Sequence, residues 1–359
     1  MRIGIVGLPN AGKSSLFTAL TGAQVDTANY PFTTIEPNIA IVPVEDERLH
    51  AVARTVRASE VIPDTIAFAD IAGLVAGAHR GEGLGNQFLA NIRETDAILH
   101  VVRVHQDQNV VHPEGRIDPL ADIETIETEL IYADLEQAER RLERVAKAAK
   151  GGDRRAIAEA GWLELLIEAL RAGRPARSVP PPEELPDAIN ILQPLTAKPV
   201  LFVANVDEDA ERVPPEIDEH AQGRQAEAIA ISARLQAELA ELDPEDAQAM
   251  RADLGLSGSG LQRVIRAAFS LLSLVAFFTA DTAKPAQSWH LRSGLSAWHA
   301  AGLVHTDMQR GFVRAEVVAW DELVDAGGYA GARERGTLRL EGRNYVVADG
   351  DVITVKFTP

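Results

Sequence analysis

The sequence predicts an α/β fold built on a mostly parallel sheet, and three observations carry that prediction. Short apolar runs alternate with helical patterns over the first 100 residues and again after residue 197. A glycine-bearing loop joins the first run to the first helix, and a long helical stretch interrupts the alternation midway. The chain has 359 residues, 46% of them apolar and 25% charged, which is ordinary for a globular protein with two or three cores.

The predicted strands are Ile3 to Val6, Thr65 to Ile71, Ala97 to Val104, Lys198 to Ala204 and Ala228 to Ile231, with a helix over Ser14 to Leu20. Between the third and fourth strands, Leu135, Ala138, Leu142, Val145 and Ala149 step by three and four, the seam of a coiled-coil-like helix. Gly151 and Gly152 break it, and a second helix is expected with Ile157, Trp162, Leu165, Leu166 and Leu170 on one side, ending before Pro180-Pro181-Pro182. The pattern therefore predicts an inserted helical hairpin at 111–195. It lies within a nucleotide-type domain formed by 1–110 and 196–275. After Phe269 short β-rich pieces such as Ala315 to Trp320, Gly336 to Leu340 and Val352 to Phe357 predict a small α+β domain at 276–359.

A formal charge of −18 argues against a general nucleic-acid coat. Arg140, Arg141, Arg144, Lys147, Lys150, Arg154 and Arg155 nevertheless cluster near the hairpin tip, either as a solvated face or as a footprint for nucleic acid or ribonucleoprotein. The absence of cysteine rules out disulfides and thiolate metal sites. Phe269 to Ala280, the longest apolar stretch, is too short to cross a bilayer, and Met1 to Gly7 reads as a strand rather than an export signal. A cytoplasmic location with no membrane partner is expected.

Gly7-Leu8-Pro9-Asn10-Ala11-Gly12-Lys13-Ser14 matches the phosphate-binding pattern G-x-x-x-x-G-K-[ST] between a strand and a helix. The backbone N–H groups of Asn10, Ala11, Gly12, Lys13, Ser14 and Ser15 are expected to cradle phosphates, helped by the positive end of the helix. Lys13 reaches the outer phosphates in this reading, and Ser14 binds Mg²⁺. Asp70-Ile71-Ala72-Gly73 closes the second strand, with Asp70 holding Mg²⁺ through water and the Gly73 N–H meeting the γ-phosphate. In Tyr30-Pro31-Phe32-Thr33-Thr34, Thr34 is assigned as the residue that binds Mg²⁺ and senses the γ-phosphate, with Thr33 the alternative.

Asn205-Val206-Asp207-Glu208 stands after the fourth strand, where GTPases carry N-K-x-D, and Ile231-Ser232-Ala233 stands at their fifth motif. Glu208 is one methylene longer than the guanine-reading Asp, and Val206 replaces the flanking Lys, so base choice moves toward ATP; Asn205 is expected to pair with adenine N6 and N7. Leu74 replaces the water-orienting glutamine, which predicts slow hydrolysis. His79 reads as a solvated loop histidine rather than a base. Asn10 is a candidate potassium ligand, with stabilisation of the turn as the bland alternative.

Taken together, Gly7 to Asn10, Tyr30 to Asn38, Asp70 to Val75 and Gly81-Glu82-Gly83-Leu84-Gly85-Asn86 resemble the YchF (Obg-like ATPase) family. Ala301 to Asp307 and Arg310 to Glu316 are similar to that family's TGS domain. The resemblance runs essentially end to end. It implies a P-loop G domain with a coiled-coil insertion, a β-grasp-like TGS domain, ATP preferred over GTP, and association with the ribosome. It further implies Mg²⁺ on Ser14 and Thr34, and contact of Val206 with the base through its backbone. A metabolic kinase, a genuine GTPase and a binding module with negligible turnover are the competing readings.

Overall fold

The computed structural model describes residues 1–23, 38–71, 84–107, 115–208, 210, 212–254, 256 and 259–358. Thr33, Thr34, Gly73, Leu74 and His79 lie outside them. The chain forms two compact units, Met1–Val42 with Ala67–Ala268, and Pro43–Ile66 with Phe269–Pro359.

The first unit opens with β1 (Arg2–Val6), α1 (Lys13–Gly22) and β2 (Ile39–Pro43). The chain gives α2 (Glu47–Val56) and β3 (Glu60–Ile62) to the second unit and returns as β4 (Thr65–Asp70). There follow α3 (Leu84–Arg93), β5 (Ala97–Arg103), α4 (Pro119–Lys150), α5 (Arg154–Arg171) and α6 (Ala188–Leu192). The unit is completed by β6 (Val200–Asn205), α7 (Pro215–Gly223), β7 (Glu227–Ile231), α8 (Ala233–Ala240), α9 (Pro244–Asp253) and most of α10 (Gly260–Leu271).

Its sheet runs β2-β4-β1-β5-β6-β7. The five strands from β4 to β7 are mutually parallel, with Ile5 opposite Asp70 on one side of β1 and Leu99 on the other. Ile3, Ile5 and Val6 are fully buried, as strands of a sheet covered on both faces require. Edge strand β2 runs the opposite way, since the Asp70 N–H donates to Asn38 O while the Val44 N–H donates to Asp64 O. Because β4 lies on one side of β1 and β5 on the other, the carboxyl end of β1 opens onto a topological switch point, where ligands of such sheets bind.

The insertion is a hairpin of α4 and α5. Asp118 caps α4 by accepting from the Ala121 N–H, with Pro119 in the first turn, and Asp153 caps α5. Ala138, Trp162, Leu163, Leu166, Ile167 and Leu170 form its core. Ile157 and Leu165 point outward instead, 51% and 60% exposed, because the inward stripe of α5 follows 162-163-166-167-170. At the hairpin root, buried Asp134 accepts from the Leu195 and Thr196 N–H groups and the Thr196 hydroxyl at 2.6–2.8 Å. There Ile126, Leu130 and Ala133 share a core with Val6, Leu8 and Ile71.

In the second unit β8 (Leu274–Thr279), β9 (Pro285–Arg292), α11 (Ala297–Val304), α12 (Thr306–Arg310) and β10 (Phe312–Ala319) come first. α13 (Trp320–Asp325), α14 (Tyr329–Arg335), β11 (Arg339–Glu341) and β12 (Asp351–Phe357) complete it. Its mixed sheet runs β11-β10-β12-β8-β9-β3. The early segment is integral to this unit: Leu49 and Val52 of α2 sit in one core with Phe278, Val318 and Leu323, and Arg48 pairs with Asp349 at 2.6 Å.

Candidate functional site

The loop after β1 is shaped by backbone conformations that few residues tolerate. Gly12 caps α1 at φ 100°, and Asn10 sits at φ 63°. A β-carbon on Gly7 would stand 2.5 Å from Val101 O, and one on Gly12 2.1 Å from Asn205 Nδ2. α1 has no side-chain cap and no acidic residue in its first turn. Its leading N–H groups and the positive end of its dipole are therefore uncompensated by side chains, the condition for holding an anion.

Lys13, 7% exposed, donates from Nζ to Leu8 O at 2.9 Å, which bends the ammonium back across the loop. Burial lowers its pKa, and the charge of Asp70 works against that shift. Asp70 ends β4, where burial raises its carboxyl pKa and Lys13 opposes the rise. Asp70 Oδ1 is buried without a hydrogen-bond partner among the described residues. A buried carboxylate oxygen with no partner costs free energy unless something else meets it, and a cation or its water is a group that would. Among the described residues no cluster of three or more carboxylates or histidines forms a metal cage. Ser14 lies exposed in the same cleft.

That cleft, of about 680 Å³, joins Asn10, Lys13 and Ser14 to Asn205, Glu208 and Arg234. Asn205 is 4% exposed and its amide is engaged on both sides: Nδ2 donates to Ala11 O at 3.0 Å, and Oδ1 accepts from the Ala233 N–H at 2.9 Å. Asn205 thus ties the phosphate loop to the start of α8, a different duty from the bidentate adenine contact expected of it. The Val206 N–H donates to Ile231 O at 3.0 Å, and Ser232 caps α8 by accepting from the Leu235 N–H. Glu208 is exposed on the rim and meets Arg234 at 3.4 Å.

Three lining residues, His105, Asp107 and Arg234, escaped the sequence reading. Arg103, 2% exposed, holds the first two in place by donating to His105 O and Asp107 O. The available signal was a charged residue closing an otherwise apolar strand. Burial, followed by Arg103, keeps the His105 pKa below its usual value. Thr34 and Gly73 lie outside the described residues; Lys13 and Ser14 line the cleft, whereas Asp70 does not line it and acts on Lys13 through its charge.

A family model described as a 50S ribosome-binding GTPase matches residues 2–138, and the YchF-GTPase_C model, a protein of unknown function by its description, matches residues 274–358. The ribosome-binding ATPase YchF of Bacillus subtilis is 48% identical over 360 residues, covering 99% of this chain and 98% of the relative. The protein of the same name from Haemophilus influenzae is 48% identical over 359 residues, covering 99% of each. The solved Schizosaccharomyces pombe YchF GTPase aligns with a TM-score of 0.88 at 32% identity, over 99% of this chain and 97% of that one. A Pyrococcus horikoshii GTP-binding protein shares the fold over the whole of both chains, with a TM-score of 0.62 at 20% identity. With a strand–glycine loop–helix cradle at its start and near-complete coverage by such relatives, the chain belongs to the YchF family.

Proposed function

We propose that this chain is a Mg²⁺-dependent nucleoside triphosphatase that prefers ATP to GTP and works as a slow switch on the ribosome. The observation that carries the hydrolytic reading is the partnerless buried oxygen of Asp70 beside Lys13 at the mouth of the phosphate loop. Ser14, Thr34 and, through water, Asp70 would hold the metal, which when bound neutralises charge on the outer phosphates. The N–H groups along Asn10 to Ser15 would fix the phosphates, that of Ala11 by giving up its bond to Leu8 O, and Lys13 adds a positive charge that burial has stripped of water. Asn10 is proposed as a ligand for potassium beside them.

The ATP preference is supported by how the base side is occupied. The Ala233 N–H is already bonded to Asn205, and Glu208 is already facing Arg234. Guanine offers O6 as acceptor and N1–H and N2–H₂ as donors, so it meets spent partners. Adenine needs none of these three contacts. Curated relatives are named ATPases and one solved relative a GTPase, so names alone leave base choice to measurement.

Ribosome association is carried over from the relatives' names and supported by the hairpin. Arg140 pairs with Glu136, Arg141 with Glu159 and Arg155 with Asp187. Arg144, Lys147, Lys150 and Arg154 carry no ion pair among the described residues, and such free charges suit phosphate backbones. No described helix is long and apolar enough to cross a membrane, and a cytoplasmic location follows from the ribosomal partner. The test is phosphate release from Mg·ATP and Mg·GTP without an acceptor, with and without ribosomes. Slow ATP turnover that ribosomes stimulate and Asp70→Asn lowers at least tenfold is expected. Turnover that requires a small-molecule acceptor would overturn the proposal.

A further inference from the structure

Arg234 is unexplained by the fold. It is 69% exposed, sits in the first turn of α8 directly after Ser232-Ala233, and packs into no core. Its guanidinium Nε lies 3.0 Å from Glu238 Oε1, one turn along the same helix, and 3.4 Å from Glu208 Oε1 across the mouth of the cleft. Asp107, also on the cleft, adds a further favourable charge. Glu238 therefore holds the arginine in place, and the arginine faces the one carboxylate of the base motif that could read a nucleobase.

We infer that Arg234 is a base-selectivity residue: it ties up Glu208 and so removes the acceptor that guanine would need. This rests on the ATP-preferring reading above. The chemistry has two parts. A carboxylate must offer free lone pairs to take guanine N1–H and N2–H₂ together, and a guanidinium competing for the same oxygens weakens both bonds. The guanidinium itself is a donor with no acceptor capacity, so it opposes a base edge that presents N1–H. Adenine presents a bare N1 lone pair, which a donor group tolerates. The same Arg–Glu pair is thus neutral or favourable toward adenine and unfavourable toward guanine. Since the Arg234–Glu208 contact is an exposed ion pair at 3.4 Å rather than a hydrogen bond, its effect belongs with surface ion pairs, a change of about three- to fivefold in relative affinity.

The test is equilibrium binding of Mg·ATP and Mg·GTP to the wild type, Arg234→Ala, Arg234→Lys, Glu238→Gln and the double variant Arg234→Ala/Glu208→Gln. Arg234→Ala is expected to raise the GTP-to-ATP affinity ratio at least threefold. Arg234→Lys should restore most of the wild-type ratio, and Glu238→Gln, which loosens the arginine, should raise the ratio by less than Arg234→Ala does. The double variant should lose the gain, because the acceptor is gone. A role limited to the surface pair with Glu238 predicts equal, small effects of Arg234→Ala and Glu238→Gln with no change of ratio, and that result would overturn the inference. A wild-type preference for GTP would sink the ATP reading by itself, whereas the Arg234 inference stands or falls on the change of ratio.

Discussion

Gly12→Ala is the most informative single change in the phosphate loop, because the methyl group has one place to go and that place is occupied. At φ 100° an alanine is in the left-handed region, at a cost of about 1–2 kcal/mol. Its β-carbon would also lie 2.1 Å from Asn205 Nδ2, well inside contact distance. The amide must swing away, and its two buried bonds, to Ala11 O and from the Ala233 N–H, contribute about 1 kcal/mol each. The perturbation totals about 3–4 kcal/mol and is confined to the loops that grip nucleotide. Read as affinity at 1.4 kcal/mol per decade, it predicts a loss of at least about 100-fold in Mg·ATP binding. The assay is titration of a fluorescent ATP analogue, with far-UV circular dichroism to show that the fold persists. Binding within threefold of wild type would refute the reasoning, since it would mean that the loop relaxes without Asn205.

Gly161→Ala is the matching control: this glycine is mid-helix in α5, nothing lies within 4 Å of an added β-carbon, and the variant should be more stable by about 0.5–1 kcal/mol in urea melts. Replacing Arg144, Lys147, Lys150 and Arg154 by glutamate should abolish salt-sensitive co-sedimentation with ribosomes while ATP affinity stays unchanged; Arg141 is left alone because its reversal would set two carboxylates together at Glu159. Unaltered co-sedimentation at low salt would return the cluster to a solvated face. His100 is 3% exposed and burial depresses its pKa to about 4. The unfolded chain therefore takes up its proton near pH 6.5 and the folded chain only near 4, so stability falls as pH drops through that window, by up to about 3 kcal/mol. His100→Phe should flatten the fall, and an undiminished acid slope in that variant would show that other groups dominate.

Much of the first unit was legible because its signals are local. The runs read as β1, β4, β5, β6 and β7 agree with the structure to within a residue or two, since a strand buried on both faces is apolar throughout. β2 was not read as a strand. It is a five-residue edge ending at Pro43, half-buried at alternate positions, and it follows closely on the Tyr30 to Thr34 segment singled out for its threonines. The start of α4 at Pro119 was also missed, although Asp118-Pro119 is a strong capping signal, because the seam was traced only from Leu135. The place of residues 43–66 in the second unit is of another kind. Nothing in Leu49 or Val52 says that their partners stand some 230–270 residues further along, at Phe278 and Val318.

The same division runs through the site. Lys13, Ser14 and Asp70 stand out in the sequence because a glycine-rich turn and a strand-end carboxylate each have few uses at those positions; in the structure Lys13 and Ser14 line the cleft, and Asp70 ends β4 within electrostatic reach of Lys13. Asn205 lines the cleft, but the partners of its amide are not written in its residue type. An asparagine after a strand can serve a base or a backbone equally well, and the choice depends on the distance to Ala11 and Ala233, 194 and 28 residues away. Arg234 was invisible for a related reason. An exposed arginine four residues before a glutamate on a helix is an ordinary surface pair in any sequence, and it acquires meaning only when Glu208 is found 3.4 Å off its other side. Residue type fixes what a group can donate or accept. Partnership fixes whether that capacity is still available to a ligand: the Asn205 amide is bonded to Ala11 and Ala233, and Glu208 faces Arg234.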